Sequence, residues 1–225
     1  WKEWRHKFWG WGNDEASQIA ATEKYANAIC DTIDKYGYDG FDLDAEPSYA
    51  QPFQTDKELW QNAKVMEAFV KTMGKRIGPK SGTDKMFVID GEPDAMAAQY
   101  GEYFNYFILQ AYNSSGNSDL NSRFTAQATH FQQYLTPEQV ANKLIVCENF
   151  ENYAGKGGVS FRLDNGQTLP SLLGMAYWNP VYNGVTYRKG GVGTYHMEYE
   201  YTVSGQTGNY PFLRKAIQIM NPSIQ

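Results

Sequence analysis

The sequence predicts an α/β fold in which helices cover a parallel sheet. Three observations support this class: amphipathic helical stretches alternate with short apolar strands, five such strands are recognisable, and no internal repeat or low-complexity linker interrupts the 225 residues. We therefore expect one domain spanning residues 1–225. A doubly wound sheet and part of a (β/α)8 barrel both fit this pattern.

The first two elements are a long helix and a strand. We predict Asn13 as the N-cap, because apolar side chains, interrupted only by Thr22, then recur with helical spacing up to Tyr36. Gly37 is well placed to end this helix. The strand Tyr38–Ala45 follows at once.

The remaining chain continues the alternation. Thr55 and Glu58 form a capping-box pattern ahead of an apolar helical stripe from Leu59 to Ile77. Four apolar runs predict strands: Met86–Asp90, Tyr106–Tyr112, Lys143–Phe150 and Leu172–Asn179. Four further segments are predicted to be helical: Asp94–Tyr103, Asn121–Tyr134, a turn after Pro137, and Pro211–Met220. Two stretches are predicted to be loops or hairpins: Gly155–Gly166 and residues 188–203.

Composition excludes several classes of function. The net charge is −5 and the Lys and Arg residues are scattered, so there is no basic footprint for nucleic acid. No apolar run approaches the roughly 20 residues that span a bilayer, and no short apolar signal segment opens the chain. Cys30 and Cys147 match no metal or redox spacing. No glycine-rich nucleotide-binding motif follows a strand.

Aromatic residues are abundant, with 17 Tyr, 12 Phe and 6 Trp. Flat apolar rings suit a ligand that itself has apolar ring faces, such as a sugar. A tyrosine-rich core would give the same composition, so both interpretations stay open.

The strand Tyr38–Ala45 and the residue after it carry an unusual set of carboxylates. Because side chains alternate along a strand, Asp42, Asp44 and Glu46 share one face, and the apolar residues between them share the other. In a barrel the first face lines the axis and Glu46, just before Pro47, lies at the C-terminal rim where active sites occur. Carboxylates this close raise at least one pKa, which keeps a proton available for donation.

Two other interpretations of these carboxylates remain. They form either a structural network with backbone and tyrosines or a metal site, since D-x-D-x-E resembles part of a calcium loop. The Gly and distal Glu of an EF-hand are absent, and the three histidines lie far apart.

The stretch Asp39–Glu46 resembles the D-x-x-D-x-D-x-E signature of glycoside hydrolase family 18, the chitinases and endo-β-N-acetylglucosaminidases. The resemblance covers Ala16 to Asn221, and "YHMEYEY" is similar to bacterial glycan-foraging endoglycosidases of this family. It implies a (β/α)8 TIM barrel in which this chain supplies strands four to eight and lacks the first three. About 250 residues are typical of a whole barrel.

The resemblance also implies residue roles. Glu46 is the general acid and then the base, Asp44 holds the substrate's 2-acetamido group, and Asp42 controls the proton on Asp44. Asp39, of opposite parity, is structural. Tyr112 hydrogen-bonds the acetamido carbonyl, and Gln110 is typical of the endoglycosidase branch.

Other candidate substrate-binding residues follow from the same resemblance. Trp178, predicted to end the eighth strand, is expected to stack on the sugar at the cleavage site. Glu148 and Asn149 on the seventh strand are predicted glycan contacts, with solvated or structural roles as alternatives. Weaker candidates are Asp90, Glu92, His196 and Glu198.

The resemblance implies a hydrolase of β-1,4-linked N-acetylglucosamine, acting on the chitobiose core of N-glycans. The connection between the Lys143–Phe150 and Leu172–Asn179 runs is too short for the inserted domain of a chitinase, and Gln110 also favours the endoglycosidase branch. A chitinase-like hydrolase and a non-catalytic glycan-binding relative are the alternatives. We expect no cofactor or metal, no nucleic-acid partner, a monomer, and an extracellular, periplasmic or cell-surface location.

Overall fold

The computed structural model describes residues 9–46, 63–201 and 209–222. The chain divides into two compact units, Trp1–Phe107 and Ile108–Gln225. The predicted capping box at Thr55 and Glu58 lies outside the described residues. In the described part of the chain, no helix is both long enough and apolar enough to cross a membrane.

The first unit alternates helices and strands. Its elements are helix α1 (Glu15–Tyr36), strand β1 (Gly40–Ala45), helix α2 (Ala63–Gly74), strand β2 (Met86–Gly91) and two short 3₁₀ turns (Pro93–Ala95 and Ala98–Tyr103). Strand β3 (Tyr106–Gln110) starts in this unit and lies next to β2. The single helix predicted over Asp94–Tyr103 is wrong, because the extended backbone at Met96 and Ala97, with ψ of 140° and 134°, separates two 3₁₀ turns.

Helix α1 follows its predicted pattern with a shifted start. Asp14, not Asn13, is the N-cap, and its side chain accepts a hydrogen bond from the Ser17 N–H at 2.9 Å. The helix ends at Gly37, as predicted. Its buried stripe includes Thr22, whose hydroxyl donates to the Gln18 carbonyl at 2.8 Å and so is satisfied inside the core.

Strands β1 and β2 are parallel and set the geometry of the carboxylates. Phe41 pairs with Phe87 and Leu43 with Ile89, and both β2 residues are fully buried. The Phe87 ring lies 4.4 Å from the ring centroid of Phe104. This apolar face anchors the pair of strands, so the opposite face of β1 is the one that carries the acidic side chains.

The second unit contains the remainder of β3 and the last elements. They are helices α3 (Asn117–Phe131), α4 (Pro137–Lys143), α5 (Ser171–Tyr177), α6 (Glu198–Tyr201) and α7 (Pro211–Met220), and strands β4 (Leu144–Asn149), β5 (Ser160–Arg162), β6 (Thr168–Pro170), β7 (Val181–Tyr182), β8 (Val185–Thr186) and β9 (Gly191–Tyr195). Strand β4 lies between β3 and β9 and is parallel to β9. Two antiparallel hairpins, β5–β6 and β7–β8, complete the unit.

The strand predicted at Leu172–Asn179 is wrong. Helix α5 occupies this run, because Leu172, Met175 and Ala176 have the spacing of one helical face and are all buried. Gly174 packs directly against the Phe161 ring of β5. A short apolar run does not distinguish a strand from a buried helix by periodicity alone.

The strand that pairs with β4 is instead β9, in the stretch predicted to be a loop or hairpin. Its glycines hide the apolar alternation in the sequence. Gly191 and Gly193 pair with Ile145 and Cys147 across the ladder, and a Cβ added at either glycine would meet its partner's side chain at an ordinary van der Waals distance, 3.5 Å from Cγ1 of Ile145 or 3.7 Å from Sγ of Cys147.

Candidate functional site

Three of the predicted site residues come together at the end of β1. Asp42 and Asp44 are exposed, and the residues on either side of them are more buried. Glu46 follows the last strand residue and is half-buried. The alternation predicted from the sequence is therefore present, and it directs the first two carboxylates to the side away from the apolar core.

The surroundings of β1 favour the protonated forms of both aspartates. Partial burial raises the pKa of Asp42, and the negative charge of Asp44 raises it further. Partial burial also raises the pKa of Asp44. Both side chains therefore keep protons to a higher pH than an aspartate in water, even though each retains exposed surface.

The end of β2 lies against the same carboxylates. Asp90 pairs with Asp44 and Gly91 with Ala45 in the register, and the Glu92 N–H donates to the Ala45 carbonyl at 2.8 Å. Gly91 has a φ of +101°, and a Cβ added there would lie 2.9 Å from Cγ of Glu46. The absence of a side chain at Gly91 thus lets β2 support the stem of Glu46.

Gly91→Ala is expected to lower activity strongly, because the new methyl would collide with the Ala45 carbonyl oxygen at 2.6 Å and displace Glu46. The control is Gly82→Ala, where φ is +73° and no atom lies within 4 Å of the new Cβ. Both variants carry backbone strain of about 1–2 kcal/mol, which urea unfolding measures. Equal activity of the two variants would contradict the contact with Glu46.

In the second unit, β3 leads to a second group of predicted site residues. Gln110 ends β3, shares the face of Ile108 and is half-buried; Tyr112 follows two residues later and is also half-buried. The ring centroid of Tyr112 lies 6.3 Å from that of Tyr195, at the end of β9. Within this unit, the ends of two strands therefore bring aromatic rings together.

Glu148 and Asn149 end strand β4. Glu148 is fully buried, and one oxygen of its carboxylate accepts the N–H groups of Asn113 at 2.9 Å and of Asn149 at 2.8 Å. The side-chain oxygen of Asn149 accepts the Glu151 N–H at 2.7 Å. These contacts are structural, and the direct glycan contacts predicted for the two residues stay predictions.

Trp178 does not end a strand, so its predicted position is wrong. It follows helix α5, is only 2% exposed, and its indole N–H donates to the side-chain oxygen of Asn121 at 3.0 Å. Its stacking on a sugar stays a prediction, and the structure adds no exposed ring surface in its support.

Tyr195 occupies the position that the sequence assigned to Trp178. It is the last residue of β9 and is 49% exposed. Its ring centroid is 5.2 Å from that of His196, which in turn stacks on Tyr199 at 4.3 Å. Sequence reasoning missed Tyr195 because β9 itself was missed; the tyrosine directly after "GGVGT" was the available signal.

Lys189 is a buried cation that the sequence did not single out. Its side chain is 2% exposed, and its ammonium donates to the carbonyls of Ala176, at 2.9 Å, and Trp178 at the end of α5. Burial, together with the charge of Arg188, lowers the pKa of Lys189 to about 8. Lys189 thus fixes the turn that leads from α5 through Trp178.

This lowered pKa predicts a pH-dependent stability. Between pH 8 and the ordinary value of 10.5, the unfolded chain binds the proton that folded Lys189 releases, so stability rises with pH. The unfolding free energy of the wild type minus that of Lys189→Met should therefore increase from pH 7 to pH 10, by up to about 3 kcal/mol. Urea unfolding of both proteins measures the difference, in which tyrosine titration cancels. A difference independent of pH would contradict the prediction.

No cluster of three or more His, Cys, Asp or Glu residues suited to a metal ion occurs within residues 9–46, 63–201 and 209–222.

Comparison with known proteins identifies the family. The profile of glycoside hydrolase family 18, BT1044-like, matches residues 2–219, so the chain belongs to this family. This result confirms the resemblance predicted from Asp39–Glu46. Family membership and the solved structures below imply a TIM-barrel-like α/β fold.

Three relatives illustrate the similarity. The chain is 28% identical over 207 residues to endo-β-N-acetylglucosaminidase F2 of Elizabethkingia meningoseptica, covering 88% of this chain and 56% of that protein. A Glu-to-Gln variant of BT1044 shares 27% identity, with a TM-score of 0.74 over 96% of this chain and 64% of that chain. The third is an endo-β-N-acetylglucosaminidase from Cordyceps militaris, solved as a variant in complex with fucosyl-N-acetylglucosamine-Asn. It has a TM-score of 0.61 at 21% identity, and the match covers 97% of this chain and 67% of that chain. At this identity it supports the fold alone. The chain thus spans less than two thirds of the first two relatives.

Proposed function

We propose that this protein is a retaining glycoside hydrolase that cleaves the β-1,4 bond in the chitobiose core of N-glycans. The observation that carries the proposal is the strand-end set of Asp42, Asp44 and Glu46, in a chain that belongs to glycoside hydrolase family 18. Raised pKa values of Asp42 and Asp44 fit a site that must hold and move protons. We further propose that it acts as a monomer outside the cytoplasm.

In the proposed first step, Glu46 gives its proton to the glycosidic oxygen. The oxygen of the substrate's 2-acetamido group attacks the anomeric carbon as the bond to the leaving sugar breaks, which forms a cyclic oxazolinium intermediate. An intramolecular nucleophile held in place gains a large effective concentration. Asp44 accepts the acetamido N–H and stabilises the positive charge, and Asp42 takes up or returns the proton of Asp44.

In the second step, Glu46 acts as a base. It removes a proton from water as the water oxygen attacks the anomeric carbon, which reopens the ring and restores the acetamido group. Because two displacements occur at the anomeric carbon, each with inversion, its configuration is retained overall. Glu46 ends the cycle protonated, ready for the next substrate.

The second unit is proposed to bind the sugar. Tyr112 donates to the acetamido carbonyl, and Gln110 lies on the same strand end. The exposed ring of Tyr195 offers an apolar face on which a pyranose ring can stack, with His196 and Tyr199 supporting it. Asn149 contributes polar contacts in the same proposal.

The connection after β4 supports the endoglycosidase branch. Residues 150–170, all described, contain only a 3₁₀ turn (Ala154–Lys156) and the β5–β6 hairpin. A chitinase-type insertion that deepens a groove for a linear polymer therefore has no counterpart there. A branched N-glycan is the substrate that fits this short connection better.

The test is to incubate the full-length protein separately with ribonuclease B, a complex-type glycoprotein and chitohexaose, and to compare products by mass. We expect at least one glycoprotein to lose its glycan with one N-acetylglucosamine left on Asn, and chitohexaose to stay largely intact. Cleavage of chitohexaose alone would indicate a chitinase. Binding without cleavage of any substrate would indicate a non-catalytic relative.

A further inference from the structure

Glu148 is a carboxylate with no exposed surface, near the end of β4. A buried carboxylate is costly unless hydrogen bonds replace the water it has lost. The groups that hydrogen-bond to Glu148 inside the protein are therefore the key to its role.

The side chain of Glu148 contacts the backbone of three other residues. Its Oε1 accepts two backbone N–H groups, from Asn113 at 2.9 Å and from Asn149 at 2.8 Å. Its Oε2 is buried and has no hydrogen-bond partner among the described residues. Gly158 packs against the carboxylate, since a Cβ added there would lie 3.3 Å from this second oxygen. Backbone segments thus surround the side chain, which has no exposed surface.

The bond to Asn113 has the larger structural consequence. Asn113 has a φ of +60°, a left-handed conformation that costs energy for most residues and less for asparagine. The hydrogen bond from the Asn113 N–H to Oε1 of Glu148 satisfies this backbone donor and so stabilises the turn directly. The N–H that Glu148 holds belongs to the peptide unit that joins Tyr112 to Asn113, so this hydrogen bond restrains the backbone of Tyr112 and, through it, the point from which its side chain starts.

We propose that Glu148 is a positioning residue that acts through the Asn113 N–H to orient Tyr112 toward the substrate's acetamido group. This inference rests on the proposed function, because it assigns a purpose to the orientation of Tyr112. It also gives Glu148 a role that requires burial, unlike direct contact with a sugar. A misplacement of about 1 Å at a reacting group can cost about a hundredfold in rate.

Glu200 offers a matched control in the same unit. It is also fully buried and also accepts two backbone N–H groups, from Phe212 at 2.5 Å and Leu213 at 3.2 Å. These bonds cap the first turn of α7 and do not involve the Tyr112 segment. Replacing either glutamate removes a buried carboxylate, but only one replacement frees Asn113.

The experiment is a double-mutant cycle on the full-length enzyme with an N-glycan substrate. Glu148→Ala, Tyr112→Phe and the double variant are compared with Glu200→Ala alone and combined with Tyr112→Phe. We expect Glu148→Ala to lower kcat/KM about tenfold to a hundredfold in the wild-type background, mainly through kcat. In the Tyr112→Phe background, the same substitution should lower kcat/KM much less. Glu200→Ala should have the same effect in both backgrounds. Glu148→Gln, which keeps an oxygen acceptor, should retain most of the activity.

Amide hydrogen exchange of Asn113 gives a readout that does not depend on activity. Protection should be lost in Glu148→Ala and kept in Glu148→Gln and Glu200→Ala. Additive effects of Glu148→Ala and Tyr112→Phe, or unchanged protection of Asn113, would overturn the inference. If Glu148→Ala does not fold, Glu148→Asp, which withdraws the carboxylate by one methylene, replaces it in the same cycle. An inactive wild type with the expected exchange pattern would refute the proposed function and leave the backbone role of Glu148 intact.

Discussion

Glu46→Gln is expected to lower hydrolysis by at least a hundredfold, with the fold and glycan binding unchanged. The amide has nearly the shape of the carboxylic acid but cannot transfer its proton to the glycosidic oxygen. General acid–base catalysis contributes about 10²–10⁴-fold, and here one residue serves in both steps. Initial rates on a glycoprotein, read by mass spectrometry, measure the loss.

The control for this variant is Glu102→Gln. Glu102 is an exposed glutamate of the same unit, paired with Lys80 at 3.0 Å, and an exposed pair of this kind contributes little to stability. Its replacement should leave the rate unchanged. A Glu46→Gln protein that retains more than a tenth of the wild-type rate would refute Glu46 as the acid, whichever substrate is cleaved.

The carboxylate strand could be predicted from sequence because its information is local. Alternation along a strand depends only on backbone geometry, so the shared face of Asp42 and Asp44 followed from their spacing. Helix α7 was predicted with its correct bounds for a similar reason: Pro211 marks its first turn and the apolar stripe is strong. Both features are determined by residues close together in the chain.

The errors at α5 and β9 have a common physical cause. Both elements are defined by partners far away in sequence: Gly174 packs against Phe161, and Gly193 fits beside Cys147. An apolar run such as Leu172–Asn179 is compatible with both the helical and the strand periodicity. A glycine-rich strand shows neither periodicity, so it is recognised only when the strand beside it is known. Trp178 was consequently assigned to a strand end, and Tyr195 was overlooked.

The burial of three ionisable residues was not predicted from the sequence. Lys189 and Glu200 were not singled out there, and Glu148 was predicted to contact a glycan, yet each binds backbone groups inside the second unit. Their burial follows from tertiary contacts, and the carbonyl or N–H groups that they satisfy belong to turns and helix ends. Pattern alone does not identify such residues.

Asp44→Asn is expected to slow cleavage about as severely as Glu46→Gln does. The neutral amide cannot stabilise the positive charge of the cyclic intermediate, and it accepts a weaker hydrogen bond from the acetamido N–H than an ionised carboxylate does. An N-acetylglucosamine thiazoline, which mimics that intermediate, should inhibit the wild type and bind the variant more weakly. Inhibition constants and single-turnover rates measure both effects. Detection of a covalent glycosyl ester on the enzyme would contradict the substrate-assisted mechanism.

The same substitution should stabilise the fold at neutral pH, which separates catalysis from stability. Partial burial raises the pKa of Asp44, so the folded protein binds its proton more tightly than the unfolded chain does. The resulting stability is fully present below the ordinary pKa of aspartate and is lost as pH rises through the raised value. At pH 7 the ionised carboxylate is therefore a cost that asparagine, which resembles the protonated form, removes. Urea unfolding should give a larger free energy for Asp44→Asn than for the wild type at pH 7, with the gap closing in acid. A variant less stable than the wild type at pH 7 would mean that the folded protein favours the charged form of Asp44. That result would contradict the raised pKa of Asp44.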